Sequence, residues 1–509
     1  MIMKRLSCIH HLRFWLPALM VASTISTVNA QSLEEAVSTA LMTNPKVHQA
    51  IQKVQTRIYE EGIAKSGFLP TLNVQGGSGY EWSSNPTTRA GGPNSSDRLH
   101  RYESSIALRQ VLFAGFSTVH DSKRSEATTR SEQYRLITTA SEMALKVAQT
   151  YLAVIMMERA LTMSEQNLKI HQDIYYNIFK RSESGVQSTA DLSLVSGRLA
   201  RAQSNTISAE NNLQDARFQL MRLVGAPTHS LHEPVPDFDL LPETMEQTIL
   251  LAGKNYPLLK SALQDNNAAE SEYQASKGRF YPEISFEATR SWNYNMNGVI
   301  GRDDDYNLMF HARYNLFNGG ADSGRMKASL SRWNEAKDIY HQALLDTQEE
   351  ARLAWEAHTQ LNKQIPQLQK HVTYSLDTVS AYRRQFVLGE RSLLDVLNAE
   401  NESLEAELAW NRAWAIQLDS CYRLLHITGR LLDSFRLTLP TDWSPESYSG
   451  HSHGRKSHIQ AHRENMFDEQ SQLLTQPDSI SANTGFDERL HEPKNRNHVV
   501  SSANARYTR

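Results

Sequence analysis

The residues best spaced for chemistry in this sequence hold helix ends and charge rather than make bonds. Gly389-Glu390-Arg391-Ser392-Leu393-Leu394-Asp395-Val396-Leu397 sets a hydroxyl three residues before a carboxylate, just after a glycine. Gly185-Val186-Gln187-Ser188-Thr189-Ala190-Asp191-Leu192 repeats that arrangement. A serine so placed accepts from a free N–H of a helix first turn, and the acid reaches back. Both segments therefore read as N-terminal capping boxes, with Asp a shorter substitute for the usual Glu. Gly185 and Gly389 suit helix ends that need a left-handed residue.

Bond-making constellations are missing. There is no Gly-x-x-x-x-Gly-Lys phosphate loop and no His-Glu-x-x-His zinc motif. Gly76-Gly77-Ser78-Gly79 lies inside a strand-like run and opens no helix. Cys421 stands alone in an apolar helical stretch and reads as core, and Cys8 lies in the leader. No catalytic cluster, cofactor site or metal site is expected. The pairs His451/His453 and His458/His462 are too thinly supported for one.

The 509 residues are too many for one ordinary domain and imply several domains or an elongated architecture. A net charge of -3 disfavours a basic nucleic-acid binder. The mean hydropathy of -0.52 is too polar for helices that cross lipid. Residues 1–30 read as a secretory signal peptide: Lys4, Arg5 and Arg13, a short apolar run from Phe14 to Ile25, and Val28-Asn29-Ala30 before Gln31.

The remainder is a duplication. Asn44-Pro45 matches Tyr256-Pro257, and Leu69-Pro70 matches Tyr281-Pro282, both 212 residues on. Leu112-Phe113-Ala114-Gly115 matches Leu316-Phe317-Asn318-Gly319 at an offset of 204, as do Gly185, Ser188 and Asp191 with Gly389, Ser392 and Asp395. The changed offset implies a hairpin loop eight residues longer in the first half. The repeats span 31–230 and 241–432, with a linker at 231–240 and a polar extension at 433–509. The extension is rich in Ser, Asn, His and charge and reads as disordered.

Each repeat predicts a helix, two alternating strands, a very long helix, a glycine turn and another helix. The long segments, near 118–180 and 321–384, would reach roughly 95 Å at 1.5 Å per residue. Helices of that length need a bundle or coiled-coil setting. The strands, near 71–83, 102–112, 283–295 and 306–316, alternate apolar and charged faces, with aromatics near their ends. Such strands can cross a membrane, but four cannot close a barrel, and open edges are forbidden in lipid. Closure therefore demands several chains. Ser83–His100 and Asn297–Asp305 are expected as exterior loops. A periplasmic coiled-coil scaffold or adaptor without a pore is the reading from another class, and it predicts a sheet with a dry core.

On the duplication, the two Leu-Phe-x-Gly segments and the Gly389–Leu397 turn, residues 31–432 resemble the TolC family of outer membrane channels. The resemblance implies a membrane β-barrel joined to a long periplasmic α-helical barrel, closed as a trimer of twelve strands. It implies passive export, with energy supplied by an inner membrane partner. Type I protein secretion with an ABC exporter is favoured over multidrug efflux with a proton-driven pump. A periplasmic adaptor and outer membrane lipid are the other partners. It further implies a pore constriction at Asp395, a gating arginine at Arg391, an aromatic gate position at Phe386 and a second acidic position at Asn398. Phe386 lacks a hydroxyl and Asn398 lacks a charge, so the entrance departs from the family pattern. Gly185, Ser188, Asp191, Gly389 and Ser392 become the periplasmic tips that meet the adaptor.

Overall fold

The computed structural model describes residues 31–227, 230–437 and Trp443. The signal peptide at 1–30, and the extension apart from 433–437 and Trp443, lie outside the described residues.

The first repeat begins with α1 (Leu33–Thr43) and α2 (Pro45–Ser66). Asn44 separates them, its side chain capping α2 through the Lys46 N–H while Pro45 takes the first helical position. Then come β1 (Thr71–Trp82), the short α3 (Pro86–Ala90), β2 (Arg98–Ala114), α4 (Ser117–Glu183) and α5 (Thr189–Val224). The second repeat has α6 (Met245–Asn255), α7 (Pro257–Lys277), β3 (Glu283–Tyr294), β4 (Arg302–Arg313), α8 (Ala321–Val387) and α9 (Leu393–Ile427). A short α10 (Leu431–Ser434) follows.

The helices α4 and α8 have 67 residues each, about 100 Å at 1.5 Å per residue. Against α4 lie α2 and α5, and against α8 lie α7 and α9, two shorter helices beside each long one. The helix α8 continues through Pro366, whose missing N–H forfeits one helical hydrogen bond. Among the described residues no helix is long and apolar enough to cross a membrane.

The four strands form one antiparallel sheet in the order β1-β2-β3-β4. Register follows the alternation. Leu72 faces Leu108, Leu108 faces Ala288 and Ala288 faces Leu308, so at this level one face of the sheet is apolar across all four strands. Leu72, Val74, Tyr80, Trp82, Tyr306 and Phe310 on that face are exposed, so the sheet has no dry core. Fifteen residues join β1 to β2 and seven join β3 to β4.

Strand boundaries differ from expectation in β2 and β4. The strand β2 begins at Arg98, not near 102, so Arg98, Leu99 and His100 pair with Trp82, Glu81 and Tyr80 instead of lying in the loop expected over Ser83–His100. The strand β4 begins at Arg302, not near 306, and leaves the ladder after Arg313. Asp303, Asp304 and Asp305 are therefore strand residues opposite Asn293, Trp292 and Ser291, not loop. The hydrogen-bonded ladder to β3 overrides the poor strand propensity of aspartate. The extension likewise starts later than 433. Phe435 is buried and its ring stacks on Tyr422 at 5.8 Å, while Leu437 and Trp443 pack on the same core.

That core lies where the repeats meet. It joins Leu33 and Val37 of α1, Leu136, Val147 and Leu152 of α4, Leu220 and Leu223 of α5, and Leu425 of α9. Ala36, Ala40, Ala140, Ala144 and Ala148 are fully buried and allow close helix approach. Tyr151 ties the linker to this core. Its hydroxyl lies 2.8 Å from the Gln31 carbonyl oxygen and 2.7 Å from that of His232, and burial pushes its pKa up to about 12.

The two Leu-Phe-x-Gly segments turn the chain from strand to helix. Each puts two successive residues at positive φ: Gly115 (58°) and Phe116 (64°), then Gly319 (57°) and Gly320 (82°). Phe116 is tolerated in that strained region beside an edge-on contact with Phe113 at 5.3 Å. A Cβ on Gly115 would overlap the Gly278 carbonyl oxygen and come within 2.8 Å of Tyr281 Cβ, whereas Gly319 faces open space. Gly115→Ala should therefore destabilise the protein more than Gly319→Ala, by about 2 kcal/mol or more, although both lose the same backbone freedom. Urea midpoints of the two variants in detergent test this, and equal shifts would contradict it.

His426 supplies a pH dependence. It is buried on α9, with Nδ1 2.8 Å from the Ser141 hydroxyl of α4 and its ring edge-on to Tyr256 at 5.7 Å. Burial pulls its pKa from 6.5 to about 4. The unfolded chain thus binds a proton in that window that the folded chain refuses. The stabilising contribution is complete above pH 6.5 and is lost as pH falls towards 4, up to about 3 kcal/mol per chain. Helical circular-dichroism melts should show this slope in the wild type and a shallower one in His426→Asn. An unchanged slope in the variant would refute the assignment to His426.

Candidate functional site

Two surfaces of this fold can act on a passing solute: the charged face of the sheet and the tips of the two helix hairpins. On the sheet, charged residues are brought together by register. Arg101 reaches Glu81 at 2.9 Å and Glu103 at 2.5 Å. Arg109 reaches Glu283 at 2.5 Å and Glu287 at 3.2 Å, and Glu287 lies 3.4 Å from His311. These clusters span from β1 to β4. Each of these arginines is shared by two carboxylates, and Asp303 and Asp305 lie on the same face, so the surface is wettable and net acidic.

The hairpin α4–α5 turns at Ser184–Ser188 and the hairpin α8–α9 at Leu388–Ser392. Gly185 (φ 74°) and Gly389 (φ 80°) take the left-handed position. The N–H of Val186 donates to the Arg181 carbonyl at 2.9 Å, and the N–H of Glu390 to the Gln385 carbonyl at 2.9 Å. These bonds satisfy carbonyls that a helix end would otherwise leave free.

The two helix starts are alike in sequence but not in bonding. At the second tip, the Asp395 N–H donates to Ser392 Oγ at 3.2 Å, and the Ser392 N–H and Oγ donate to Asp395 Oδ2 at 3.3 and 2.8 Å. That is a complete capping box. At the first tip, the Asp191 N–H donates to Ser188 Oγ at 3.1 Å, but the carboxylate of Asp191 is held by Gln187 Nε2 at 2.7 Å and by the Ser188 hydroxyl at 3.1 Å. Gln187 replaces the backbone N–H as donor, so the reciprocal box expected there is not formed.

An apolar node joins the hairpins. Ile178 of α4, Val195 of α5, and Leu393 and Leu397 of α9 are buried together, and Phe386 of α8 packs against them. Arg181 lies over the Phe386 ring at 5.8 Å. Beside the node, buried Glu400 takes a 2.5 Å ion pair from Arg383.

The residues expected at the constriction are not in one another's grip. Arg391 lies over the ring of Tyr382 at 4.4 Å and donates from Nε to Gln385 Oε1 at 3.0 Å. Asp395 is occupied by Ser392. Asn398 Oδ1 accepts from Arg198 at 3.3 Å. Phe386 belongs to the node. Among the described residues Arg391 has no carboxylate partner within its own chain. Tyr382, Gln385, Arg181 and Arg198 are the residues that sequence reasoning missed. The available signal was Tyr382 itself, an aromatic one turn before Phe386 on the same helix.

Comparison with known proteins agrees with this geometry. A family model described as outer membrane efflux protein matches residues 36–226 and 249–430. The alkaline protease secretion protein AprF of Pseudomonas aeruginosa is 22% identical over 391 residues, 74% of this chain and 81% of the relative. The outer membrane efflux protein BepC of Brucella suis is 23% identical, over 81% of this chain and 89% of the relative. Among solved structures, the Campylobacter jejuni CmeC outer membrane channel superposes with a TM-score of 0.71 at 17% identity, over 78% of this chain and 86% of that one. CusC superposes at 0.68 with 19% identity, over 82% and 99%. The family match spans both repeats and the fold is shared with these channels; the chain belongs to the outer membrane efflux protein family, the TolC-type channels of the outer membrane.

Proposed function

We propose that this chain is the exit duct of a type I protein secretion system, passing substrate from an inner membrane ABC exporter to the exterior. The observation that carries the channel reading is the sheet. It has an outward face that is apolar over its helix-side half, an opposite face lined by bridged charges, and two edge strands, β1 and β4, left without partners. Three copies would join those edges into one twelve-stranded barrel. The chain itself performs no bond chemistry in this reading.

The secretion assignment draws on relatives named for that task. AprF is a secretion protein for alkaline protease, and PrtF of Dickeya chrysanthemi, 23% identical over 419 residues, is a proteases secretion protein. Efflux is the second reading. It is favoured by BepC and by the cation efflux system protein CusC of Escherichia coli, 21% identical over 380 residues. Co-purification separates the two: an ATP-binding exporter for secretion, a proton-driven pump for efflux.

At the tips, the proposal places Asp395 at the constriction with Asn398, Phe386 and Arg391 around it. Gly185, Ser188, Asp191, Gly389 and Ser392 form the surface that the periplasmic adaptor meets. Val186, Val387 and Leu388 beside these turns are strongly exposed apolar residues, which supports a docking role.

The test is single-channel conductance of the purified protein in a planar lipid bilayer. The wild type should show steps that shift with salt and fall on addition of trivalent cations. Arg391→Ser removes the guanidinium from Tyr382 and Gln385 and should raise conductance by roughly twofold or more. Asp395→Asn should weaken the trivalent block. Silence from both the wild type and Arg391→Ser would sink the channel reading.

A further inference from the structure

The outward face of the sheet is apolar at one end and cationic at the other. Near the helix-side end it carries Leu72, Val74, Leu108, Ile284, Phe286, Phe310 and Ala312, with no charge. Towards the loop-side end, the same face carries Arg98, Arg290 and Arg302 against one acid, Asp304. Arg302 and Asp304 pair at 2.8 Å. Arg290 has no carboxylate partner among the described residues. Instead its guanidinium lies over Trp292 at 5.2 Å and over Tyr306 at 5.9 Å. Arg98 repeats the arrangement nearer the loops, over Trp82 at 5.2 Å and Tyr80 at 5.4 Å.

An arginine that faces lipid is costly near the bilayer centre and nearly neutral at the interface. Arg290 lies four residues below the end of β3 at Tyr294, about 10 Å along the barrel axis for a tilted strand. Its side chain covers most of that distance by extending towards the surface. The strand is central in the sheet, next to β2 and β4. Further copies would join at β1 and β4 and leave this face uncovered. The aromatic rings hold the guanidinium by cation–π attraction and leave its N–H groups free for an anion. The helices of an outer membrane channel of this family are periplasmic, so the loop-side end meets the outer leaflet.

We propose that Arg290, seated between Trp292 and Tyr306, binds the phosphate group of an anionic lipid of the outer leaflet. Arginine's planar fork matches phosphate with two parallel hydrogen bonds, while the flanking rings pack on the lipid's sugar or glycerol portion. The one-sided charge of the outward face selects lipid of that leaflet over lipid of the periplasmic leaflet. The site anchors the barrel at a fixed depth.

Native mass spectrometry of the detergent-purified full chain tests this with two probes. One is an acylated glucosamine disaccharide lipid carrying two phosphates, and the other is the same lipid without them. The wild type should retain the phosphorylated lipid roughly fivefold or more over its partner. Arg290→Gln should abolish that preference, while Arg89→Gln, the same charge change in the exterior loop, should keep it. Sodium pyrophosphate at the lipid concentration should not displace the lipid. Equal retention of the two lipids by the wild type, or an unchanged preference in Arg290→Gln, would overturn the proposal. Displacement by pyrophosphate would reassign the seat to free phosphate and overturn it equally. If Arg290→Gln is not recovered folded, Arg290→Lys decides: it keeps the charge but loses the planar fork, so it should weaken the preference, and an unchanged preference would overturn the proposal. The readout involves no transport, so it stands apart from the conductance result.

Discussion

A strand in hydrocarbon has nowhere to put an unpaired N–H or C=O. That constraint governs this protein more than any side-chain contact. The sheet satisfies it internally from β1 to β4 and then stops, with both edges open. Within lipid those edges are tolerable only when other copies take them up. The rest follows from that incompleteness. The helices present unpaired apolar surface because they too await neighbours; Ile339, Leu345 and Leu353 on α8 are exposed. The largest single-chain core lies in the region where the repeats meet, with a smaller node at the hairpin tips. Buried alanines there let helices approach closely, and Tyr151 locks the linker down.

The same logic separates two treatments of charge. In the sheet, arginines reach across strands to carboxylates, two to each arginine, and the polar face is wettable and net acidic. At the tips, cations rest on aromatic rings and amides: Arg391 on Tyr382 and Gln385, Arg181 on Phe386, Arg198 on Asn398. A cation–π contact at an exposed site is worth about 0.5–1 kcal/mol. On the proposed reading, in which the tips open to pass substrate, contacts of that size are readily exchanged. They position a guanidinium without the desolvation cost that locks a buried ion pair such as Arg383–Glu400.

Much of the fold was legible because its signals are periodic. Alternation gave the strands and their faces, and the internal repeat gave the order of elements. The Gly185 and Gly389 turns announced themselves through the serine that follows. What escaped was tertiary. Asp303–Asp305 looked like loop because aspartate is a poor strand former, yet cross-strand pairing with Asn293, Trp292 and Ser291 decides their state. Phe435 lay in a segment judged by its polar average, and one stacked ring anchors it. The long helix expected over 321–384 does run unbroken through Pro366. At the candidate site, the sequence marked Arg391 and Asp395 but not their partners. Tyr382 lies nine residues before Arg391, and only the folded hairpin brings the two together.

Duplication explains why the halves match, and the mismatches show where each half has taken its own task. The Leu-Phe-x-Gly turn is the clearest case. Both copies need positive φ at the glycine, so both keep it. The first copy is also wedged against the end of α7, with Phe116 held left-handed beside Phe113. The second turns freely through Gly319-Gly320. The first junction is thus fixed within the chain, whereas the second is open to whatever lies beside β4. The tips diverge too, in the opposite sense. The second has a closed capping box, and the first substitutes Gln187 for a backbone donor. The halves keep one backbone plan, but the first strand-to-helix junction is held by contacts within the chain and the second is left to its neighbours.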